Sequence, residues 1–363
     1  MYLANLQLAR FRNITDADLF LRPGINLLYG DNGAGKTALL ESVHLLSRGR
    51  SFRASQNAQL IQREQEDLVV RGQVKAGETQ HLLARRKGVS GFNQARINGE
   101  NASRQSKFAE ILPLQALLPG VSDLVLDGPG IRREFLDWGL FHVEQQYLSA
   151  VKRYRRGLSQ RAAWLKEVSN QGFQGDPWVA ALAAAGAEIS RWRQQFIELI
   201  NEQLAKTLKS LSVEFSCQLA YTGEGFAEGE AQALSLLERS FDRDRRMGAT
   251  QVGPHRSDMT ILIDGVPARS VVSRGQAKLI ASALVLSYAA VLEAKNGACP
   301  VLLLDDLGAE LDQFHRQHFF RQLVEMGCQV IATTAEDPQQ LVSDSVLQSA
   351  TVFHVEHGVF TQK

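Results

Sequence analysis

The order of apolar and polar residues predicts a mixed α/β chain. Residues 1–13 alternate between apolar and polar side chains, which is typical of a half-buried strand. A short apolar run at 24–30 ends in glycine, and residues 37–49 then follow a helical period that stops at Gly49, a residue suited to a helix C-cap. Between residues 67 and 97 lie short β-like runs with glycine-bearing turns, which favour an antiparallel meander.

The pattern changes after Pro129. From residue 131 to about residue 211 turn-forming residues are few and the period is helical, which predicts a helical subdomain. Strand-like segments return at 213–221 and 258–265. The apolar runs in CPVLLLDD and CQVIATT are typical of parallel strands that are buried on both faces, and the last residues alternate like a terminal hairpin.

These segments divide the chain into two predicted parts. An α/β body is expected from residues 1–127 and 250–363, and a mostly helical subdomain, residues 128–249, is expected to be inserted into it. LPLQALLPG, around Gln115, reads as a further buried strand of the body.

Composition places the chain among ordinary globular proteins. Its 363 residues can bury at least one full core, and 44% hydrophobic with 22% charged residues is typical of that class. A net charge of +1 excludes an indiscriminate basic coat, so any nucleic-acid contact must come from local patches. Three scattered cysteines without a CxxC pair argue against a disulfide framework or a zinc site and favour a reducing, cytoplasmic setting. No signal peptide and no run of about eighteen apolar residues is apparent, so no membrane partner is expected.

A phosphate-binding motif lies between the first apolar run and the first helix. The segment fits G-x-x-x-x-G-K-[ST] at every fixed position and has the strand before it and the helix after it that the motif requires. Glycines let backbone N–H groups surround phosphate oxygens, the lysine can reach the β- and γ-phosphates, and the threonine hydroxyl can bind Mg²⁺. The alternative is a glycine-rich turn that only caps a helix. The motif residues are Gly30, Asp31, Asn32, Gly33, Ala34, Gly35, Lys36 and Thr37.

Two acids follow a buried strand, in the run VLLLDD. Ligands of open α/β sheets bind beyond the carboxyl ends of the strands, where Asp305 and Asp306 are expected. Asp305 would hold Mg²⁺ in its outer shell, and Asp306 would orient or deprotonate an attacking water. The alternative is that both acids cap the next helix or turn.

The motifs together resemble those of a known family. The loop at 30–37, SRGQ at 273–276, LLLDD at 302–306 and AELD at 309–312 occur in the order of an ABC-type ATPase head, with SRGQ in the place of the ABC signature. Three more stretches narrow the match, namely FRN at 11–13, GPGIRREFLDW at 128–138 and VGPHRSD at 252–258. With them the chain closely resembles, from end to end, the bacterial RecF family of DNA replication and repair proteins.

The resemblance implies a fold and a shared site. The fold would be α/β, an ABC-type P-loop ATPase head with an antiparallel β meander and an inserted helical subdomain, and the cofactors would be ATP and Mg²⁺. In such heads, ATP on the phosphate loop of one copy is completed by the signature turn of a second copy. Ser273, Gly275 and Gln276 would then face the γ-phosphate of the partner's ATP in a head-to-tail homodimer. Without a partner, Ser273 would be a plain helix N-cap.

Further residues receive expected roles from the resemblance. Gln115 lies where the family glutamine senses Mg²⁺ and the attacking water, with an ordinary strand glutamine as the alternative. Arg12 resembles an arginine beside the nucleotide base, and a surface arginine is the alternative. Arg132 and Arg133 would couple the nucleotide state to the insert, or pair with nearby acids.

Three positions are expected to act mainly in the local structure. Asp312 is a candidate N-cap or interface residue. His255 and Asp258 belong to VGPHRSD, which we interpret as a structural turn.

Two departures from transporter heads indicate slow hydrolysis. Asp306 stands where those heads carry glutamate, and the end of CQVIATT with the residues after it offers Thr333, Thr334 and Glu336, with no switch histidine. Both suit a weak DNA-dependent ATPase that uses the nucleotide mainly as a dimerisation switch.

The resemblance implies a function on DNA. The ATP-bound homodimer would clamp single-stranded, gapped or junction DNA, act with RecO and RecR, and promote RecA loading and the SOS response. Lysine and arginine contacts to phosphates would supply most of the affinity. The candidates are Lys152, Arg153, Arg155 and Arg156 in the insert and Arg85, Arg86 and Lys87 in the meander, although a solvated surface is the alternative for each.

The same motifs are compatible with three other functions. The ATP-binding subunit of a membrane transporter is disfavoured by the long insert and the wide spacing between Lys36 and Ser273. A chromosome-organising head is disfavoured because the insert is too short for long coiled-coil arms and has no CxxC hook. An ATP-binding scaffold that does not act on DNA is the last alternative.

Overall fold

The structure is a computed structural model that describes residues 1–167, 172–223, 225–306, 308 and 311–363. The chain forms two compact units. The first contains Met1–Val121, Thr207–Val213 and Arg274–Lys363, and the second contains Ser122–Lys206 and Glu214–Ser273. The unit with the helical segment thus extends beyond residue 249 to Ser273, because a strand that begins at Asp258 pairs with one that begins at Cys217.

The first unit contains the antiparallel meander. Its strands are β1 Tyr2–Phe11, β2 Ile14–Phe20, β4 Asp67–Ala76, β5 Thr79–Gly88, β6 Asn93–Ile97 and β7 Glu100–Asn101. They pair in the order β2-β1-β4-β5-β6-β7. The meander predicted between residues 67 and 97 is confirmed, and the N-terminal strand joins its edge.

A second sheet of the first unit is mostly parallel. Its strands are β3 Ile25–Tyr29, β8 Leu114–Leu117, β12 Val301–Leu304, β13 Val330–Thr334, β14 Thr351–Glu356 and β15 Val359–Gln362. The order is β15-β14-β3-β13-β12-β8, and β15 alone runs antiparallel to its neighbour. The continuous apolar runs at β12 and β13 are central strands as predicted, and β14 and β15 form the predicted terminal hairpin.

Helix α1 packs against both sheets of the first unit. The helices of this unit are α1 Lys36–Arg48, α2 Ser106–Ile111, α8 Arg274–Asn296, α9 Gln313–Glu325 and two short ones at Pro338–Leu341 and Asp344–Ser349. The apolar side chains of α1 belong to one core with residues of β1, β4, β3 and β12. At Gly72 in β4 an added Cβ would lie 2.5 Å from the Leu46 side chain, so α1 packs directly on the meander. Gly49 ends α1 in a left-handed C-cap (φ 73°), as predicted.

Helix α8 qualifies the expectation that the chain has no long apolar segment. It is long and apolar enough to cross a membrane by length and composition alone. Yet 78% of its most apolar stretch is buried inside the fold, which is what the central helix of a globular core also shows.

The second unit is mostly helical and has a small sheet. Its helices are α3 Asp123–Leu126, α4 Pro129–Val143, α5 Tyr147–Glu167, α6 Val179–Ser210, whose last residues belong to the first unit, and α7 Glu230–Met247. Strands β9 Cys217–Thr222, β10 Asp258–Ile263 and β11 Val266–Pro267 pair antiparallel. The guanidinium of Arg161, fully buried, is held by Asp176 and Asp244, each at 2.6 Å. This pairing offsets the cost of burying its charge.

The cysteine expectation was wrong at one point. Cys299 and Cys328 form a disulfide. They lie just before β12 and β13, which are adjacent parallel strands, and their Cα atoms are 5.2 Å apart. A separation of 29 residues without a CxxC pattern gave no sign of this proximity.

Two of the basic residues proposed for DNA contact are buried at the end of α1. Arg85, 1% exposed, donates from Nε to the Leu46 carbonyl at 2.8 Å and stacks over the Phe108 ring at 3.9 Å. Lys87 donates to the Gly49 carbonyl at 2.9 Å. Burial lowers the pKa of Arg85 to about 10. Both cations therefore satisfy carbonyl groups at the negative end of the helix dipole, and their assignment as DNA contacts is corrected.

Replacing Arg85 with alanine is expected to destabilise the protein by about 3 kcal/mol, because buried carbonyl oxygens lose a charged donor. Arg86→Ala is the matched control: its side chain is the next in β5, is 55% exposed and pairs with Asp67, so its loss costs about 1 kcal/mol or less. Denaturant unfolding of both variants measures the difference. Equal midpoints for the two variants would contradict the helix-capping role of Arg85.

Candidate nucleotide-binding site

The phosphate loop turns sharply between β3 and α1. Gly30, Gly33 and Gly35 have φ values of 147°, 82° and 119°, which lie in the region that favours glycine. A Cβ at Gly30 would collide with the Val355 carbonyl oxygen, so only glycine fits there. The loop thus leads from the carboxyl end of a buried strand into the first turn of α1, where the helix dipole favours an anion.

Lys36 lies folded onto the loop. Its Nζ donates to the carbonyl oxygens of Gly30 and Asp31 at 2.6 and 2.9 Å. Burial lowers the pKa of Lys36, while the charges of Asp306, Asp305 and Asp31 oppose that shift. A buried ammonium beside the loop N–H groups is suited to bind a phosphate chain.

The loop and the acids after β12 meet directly. The Thr37 hydroxyl donates to Asp305 Oδ1 at 2.9 Å, and the Thr333 hydroxyl donates to the same oxygen at 2.6 Å. Thr333 Oγ1 in turn accepts from the Asp306 N–H at 3.0 Å. Asp306 has a φ of 51°, an uncommon value for a non-glycine residue, so Thr333 helps to hold a strained backbone. The role of Thr333 in holding both acids has no counterpart in the sequence pattern, where Thr333 stands only as part of a segment that lacks a switch histidine.

The donor set fits a magnesium ion. Thr37 supplies a hydroxyl oxygen, and Asp305, which is 4% exposed, supplies a carboxylate oxygen. The two oxygens lie within hydrogen-bonding distance of each other. Hard oxygen ligands from one or two side chains, completed by phosphate and water, are what Mg²⁺ prefers.

Gln115 lies in β8 as predicted, but two residues before the strand end at Leu117. It pairs with Leu302, whereas Leu117 pairs with Leu304 at the strand end that precedes Asp305. Its Oε1 is buried and, within the described part of the chain, has no hydrogen-bond partner. A buried acceptor of this kind suits a water or cation ligand. The role of Gln115 in sensing Mg²⁺ and water stays a prediction.

Arg12 is fixed to the phosphate-loop helix. Its guanidinium donates two bonds of 2.8 Å to Glu41, a fully buried acid of α1 that also accepts from the Ser51 hydroxyl. Because Glu41 lies one helical turn after Thr37, Arg12 is held close to the start of α1. The contact of Arg12 with the nucleotide base stays a prediction.

The signature turn is exposed. Ser273, Arg274, Gly275 and Gln276 are all exposed, whereas the helix α8 that follows is buried from Ala277 onward along most of its length. An exposed helix start ahead of a buried apolar helix is accessible to a second copy. Contact with a partner's ATP stays a prediction.

Asp312 is confirmed as an N-cap. It caps α9, where its side chain accepts from the His315 N–H at 3.0 Å. Ala309 and Glu310 of the AELD motif lie outside the described residues.

Two motifs of the second unit meet each other. Arg132 of α4 makes two bonds of 2.8 and 2.7 Å to Asp258, and Arg133 donates to the Ser257 carbonyl at 2.7 Å. His255 bonds the Tyr154 hydroxyl at 2.8 Å, and burial lowers its pKa. The VGPHRSD stretch thus anchors the unit, in line with its interpretation as a structural turn.

Four exposed residues among the basic candidates for DNA contact lie in α5. Lys152, Arg153, Arg155 and Arg156 are all exposed there. Arg153 pairs with Glu188 at 2.8 Å and Arg155 lies 4.0 Å from Asp137, and exposed pairs of this kind are weak.

Comparisons with known proteins find a family model and relatives that match almost the whole chain. A family model described as the RecF/RecN/SMC N-terminal domain matches residues 2–361. The DNA replication and repair protein RecF of Pectobacterium atrosepticum strain SCRI 1043 is 36% identical over 361 residues, covering 99% of each chain.

Solved structures of similar fold include one described as the recombination mediator protein RecF with ATP in the RecFOR pathway. It is 28% identical with a TM-score of 0.88, and the match covers 100% of this chain and 99% of that one. An Smc head bound to a winged-helix domain of ScpA has a TM-score of 0.59 at 16% identity over 100% of this chain and 97% of its own. That second likeness concerns the fold alone.

Proposed function

The chain belongs to the RecF family, and from that premise we propose that it is an ATP-dependent DNA-binding protein of recombinational repair. The predicted resemblance and the predicted ATPase-head fold are both confirmed. The observation that carries the proposal is the hydrogen bond between Thr37 and Asp305, which joins the phosphate loop to an acid 268 residues away.

Each residue of the site has a separate role in binding the nucleotide. Lys36 and the loop N–H groups would bind the phosphates, Thr37 and Asp305 would hold Mg²⁺, and Gln115 would sense the ion and the attacking water. When bound, the ion neutralises charge on the phosphate oxygens. Asp306 orients the attacking water, and its short side chain suits slow hydrolysis.

Nucleotide binding would act through dimerisation. In a head-to-tail homodimer, Ser273, Gly275 and Gln276 of one copy close over the ATP of the other, so that two ATP molecules join two copies. Slow hydrolysis then opens the pair. The exposure of the signature turn in the single chain supports this arrangement.

The dimer would clamp DNA at single-strand gaps or junctions. The resemblance to RecF proteins of the RecFOR pathway supports RecO and RecR as partners. It also supports RecA loading and the SOS response as the outcome, and the cytoplasm as the location. The exposed basic face of α5 supports phosphate contacts with little base readout.

Molar mass by light scattering tests the switch. The mass is measured with ATP, with ADP and without nucleotide. A monomer that pairs only with ATP supports the proposal, and an unchanged mass in all three conditions contradicts it.

Reversing two charges on α5 is expected to weaken DNA binding. The double variant Lys152→Glu, Arg156→Glu should lose about tenfold or more in affinity for gapped DNA. The slope of log affinity against log salt concentration should become shallower by about two, because about two phosphate contacts are lost. Fluorescence anisotropy with ATP at several salt concentrations measures both quantities.

The control makes the same charge change elsewhere. Arg63→Glu, Lys107→Glu alters two exposed residues of the first unit and should bind DNA nearly as the unaltered protein does. Equal losses in the two double variants would show a general charge effect and remove α5 from the proposed DNA surface.

A further inference from the structure

We infer that Asn13 and Gly358 are positioning residues for the phosphate loop. They belong to the FRN turn, residues 11–13, and to the turn of the terminal hairpin between β14 and β15, and they hold the loop carbonyls away from the nucleotide. The inference rests on the proposed binding of ATP at the loop and assigns a role to two segments outside it.

Both segments donate hydrogen bonds to the back of the loop. The Asn13 side-chain amide donates to the Gly33 carbonyl at 3.0 Å. The Gly358 backbone N–H donates to the Ala34 carbonyl at 2.7 Å. Two successive loop carbonyls are thus satisfied from outside the loop.

The contact between the segments is close. A Cβ on Gly35 would lie 3.3 Å from the Asn13 side chain and 3.4 Å from the Gly358 Cα. A Cβ on Gly358 would lie 2.6 Å from the Asn13 carbonyl oxygen. The loop, the FRN turn and the hairpin turn therefore pack with no space for one added methyl group.

The geometry of a peptide explains the consequence for the nucleotide. In a planar trans peptide the C=O and the N–H point in opposite directions. Fixing the Gly33 carbonyl outward turns the Ala34 N–H inward, where its own bond to the Asp31 carbonyl is long at 3.2 Å. Fixing the Ala34 carbonyl outward turns the Gly35 N–H inward. The loop is thus preorganised to bind an anion, and less ordering is needed when phosphate arrives.

Nucleotide titration of single variants tests this role. Asn13→Ala should weaken ATP binding about fivefold, which is the effect of about one net hydrogen bond. Gly358→Ala should weaken it about tenfold or more, since it adds a clash and strain at a φ of 81°. ADP should lose affinity by the same factors, because the loop holds the β-phosphate. A defect limited to the dimer interface would affect ATP alone.

Matched controls separate positioning from folding. Asn5→Ala removes a side-chain amide of β1 that bonds Asp18 at 2.6 Å. Gly77→Ala adds strain at a φ of 59°, and no atom of the described residues lies within 4 Å of the added Cβ. Melting temperatures without nucleotide check folding, and Asn13→Ala decides the matter if Gly358→Ala does not fold.

The outcomes are distinct. Failure of the unaltered protein to bind ATP would overturn the proposed function. Normal ATP binding by the unaltered protein, together with equal affinities for Asn13→Ala and Asn5→Ala, would overturn the positioning role alone.

Discussion

Lys36→Ala is expected to weaken ATP binding strongly and, as a result, to abolish both the ATP-dependent dimer and the DNA complex. The Lys36 ammonium is held at the loop by two carbonyl groups and lies near Asp305 and Asp306, so it is available to the phosphates at little ordering cost. Loss of a charged donor to phosphate should weaken ATP binding about 100-fold, or about 3 kcal/mol.

Three measurements on one preparation test this prediction. Calorimetric titration gives the ATP affinity, light scattering gives the mass with ATP, and anisotropy gives the DNA affinity. Lys107→Ala, which removes an exposed lysine of α2, serves as the control and should behave as the unaltered protein does. A Lys36→Ala protein that lost ATP but still bound DNA equally well would separate the two activities and contradict the switch.

Ser273→Arg is expected to leave ATP binding by the single chain within about twofold while abolishing the ATP-dependent dimer. Ser273 is exposed at the start of α8, and a close approach of that turn to a partner's γ-phosphate leaves no space for a long side chain. The substitution therefore separates the nucleotide-binding step from the pairing step.

The control lies three residues earlier in the chain. Ser270→Arg makes the same change at an exposed serine whose hydroxyl bonds the Pro267 carbonyl, and it should still form the dimer. Light scattering with ATP compares the two variants. A dimer of unaltered stability from Ser273→Arg would exclude a signature turn that closes over the partner's nucleotide.

For the two acids after β12, the sequence pattern predicts their position but not their hydrogen-bond partners. Their position beyond a strand end followed from the apolar run and the parallel sheet. That Thr333 bridges Asp305 and the strained Asp306 backbone did not follow, because Thr333 lies on another strand. The bridge gives a structural reason for threonine at this position.

The basic residues of β5 also show where the sequence pattern is not sufficient. Arg85, Arg86 and Lys87 form one run in the sequence, and their charges alone suggested a DNA surface. Strand alternation turns Arg85 and Lys87 inward and Arg86 outward. The carbonyl groups at the end of α1 accept hydrogen bonds from Arg85 and Lys87 and so stabilise their burial. The sequence pattern around β5 does not contain these acceptors.

The sequence by itself determined the phosphate loop, the strand that ends in two acids, the signature turn and the family. These are local patterns, since a loop that cradles phosphate or a strand buried on both faces needs its residues at fixed, short spacings. Only the tertiary structure decided the partners of those patterns, namely Glu41 for Arg12, Thr333 for Asp305, Asp258 for Arg132, and Asn13 and Gly358 for the loop. The physical reason is that hydrogen bonds and ion pairs form between groups that folding brings within about 3 Å, whatever their separation along the chain.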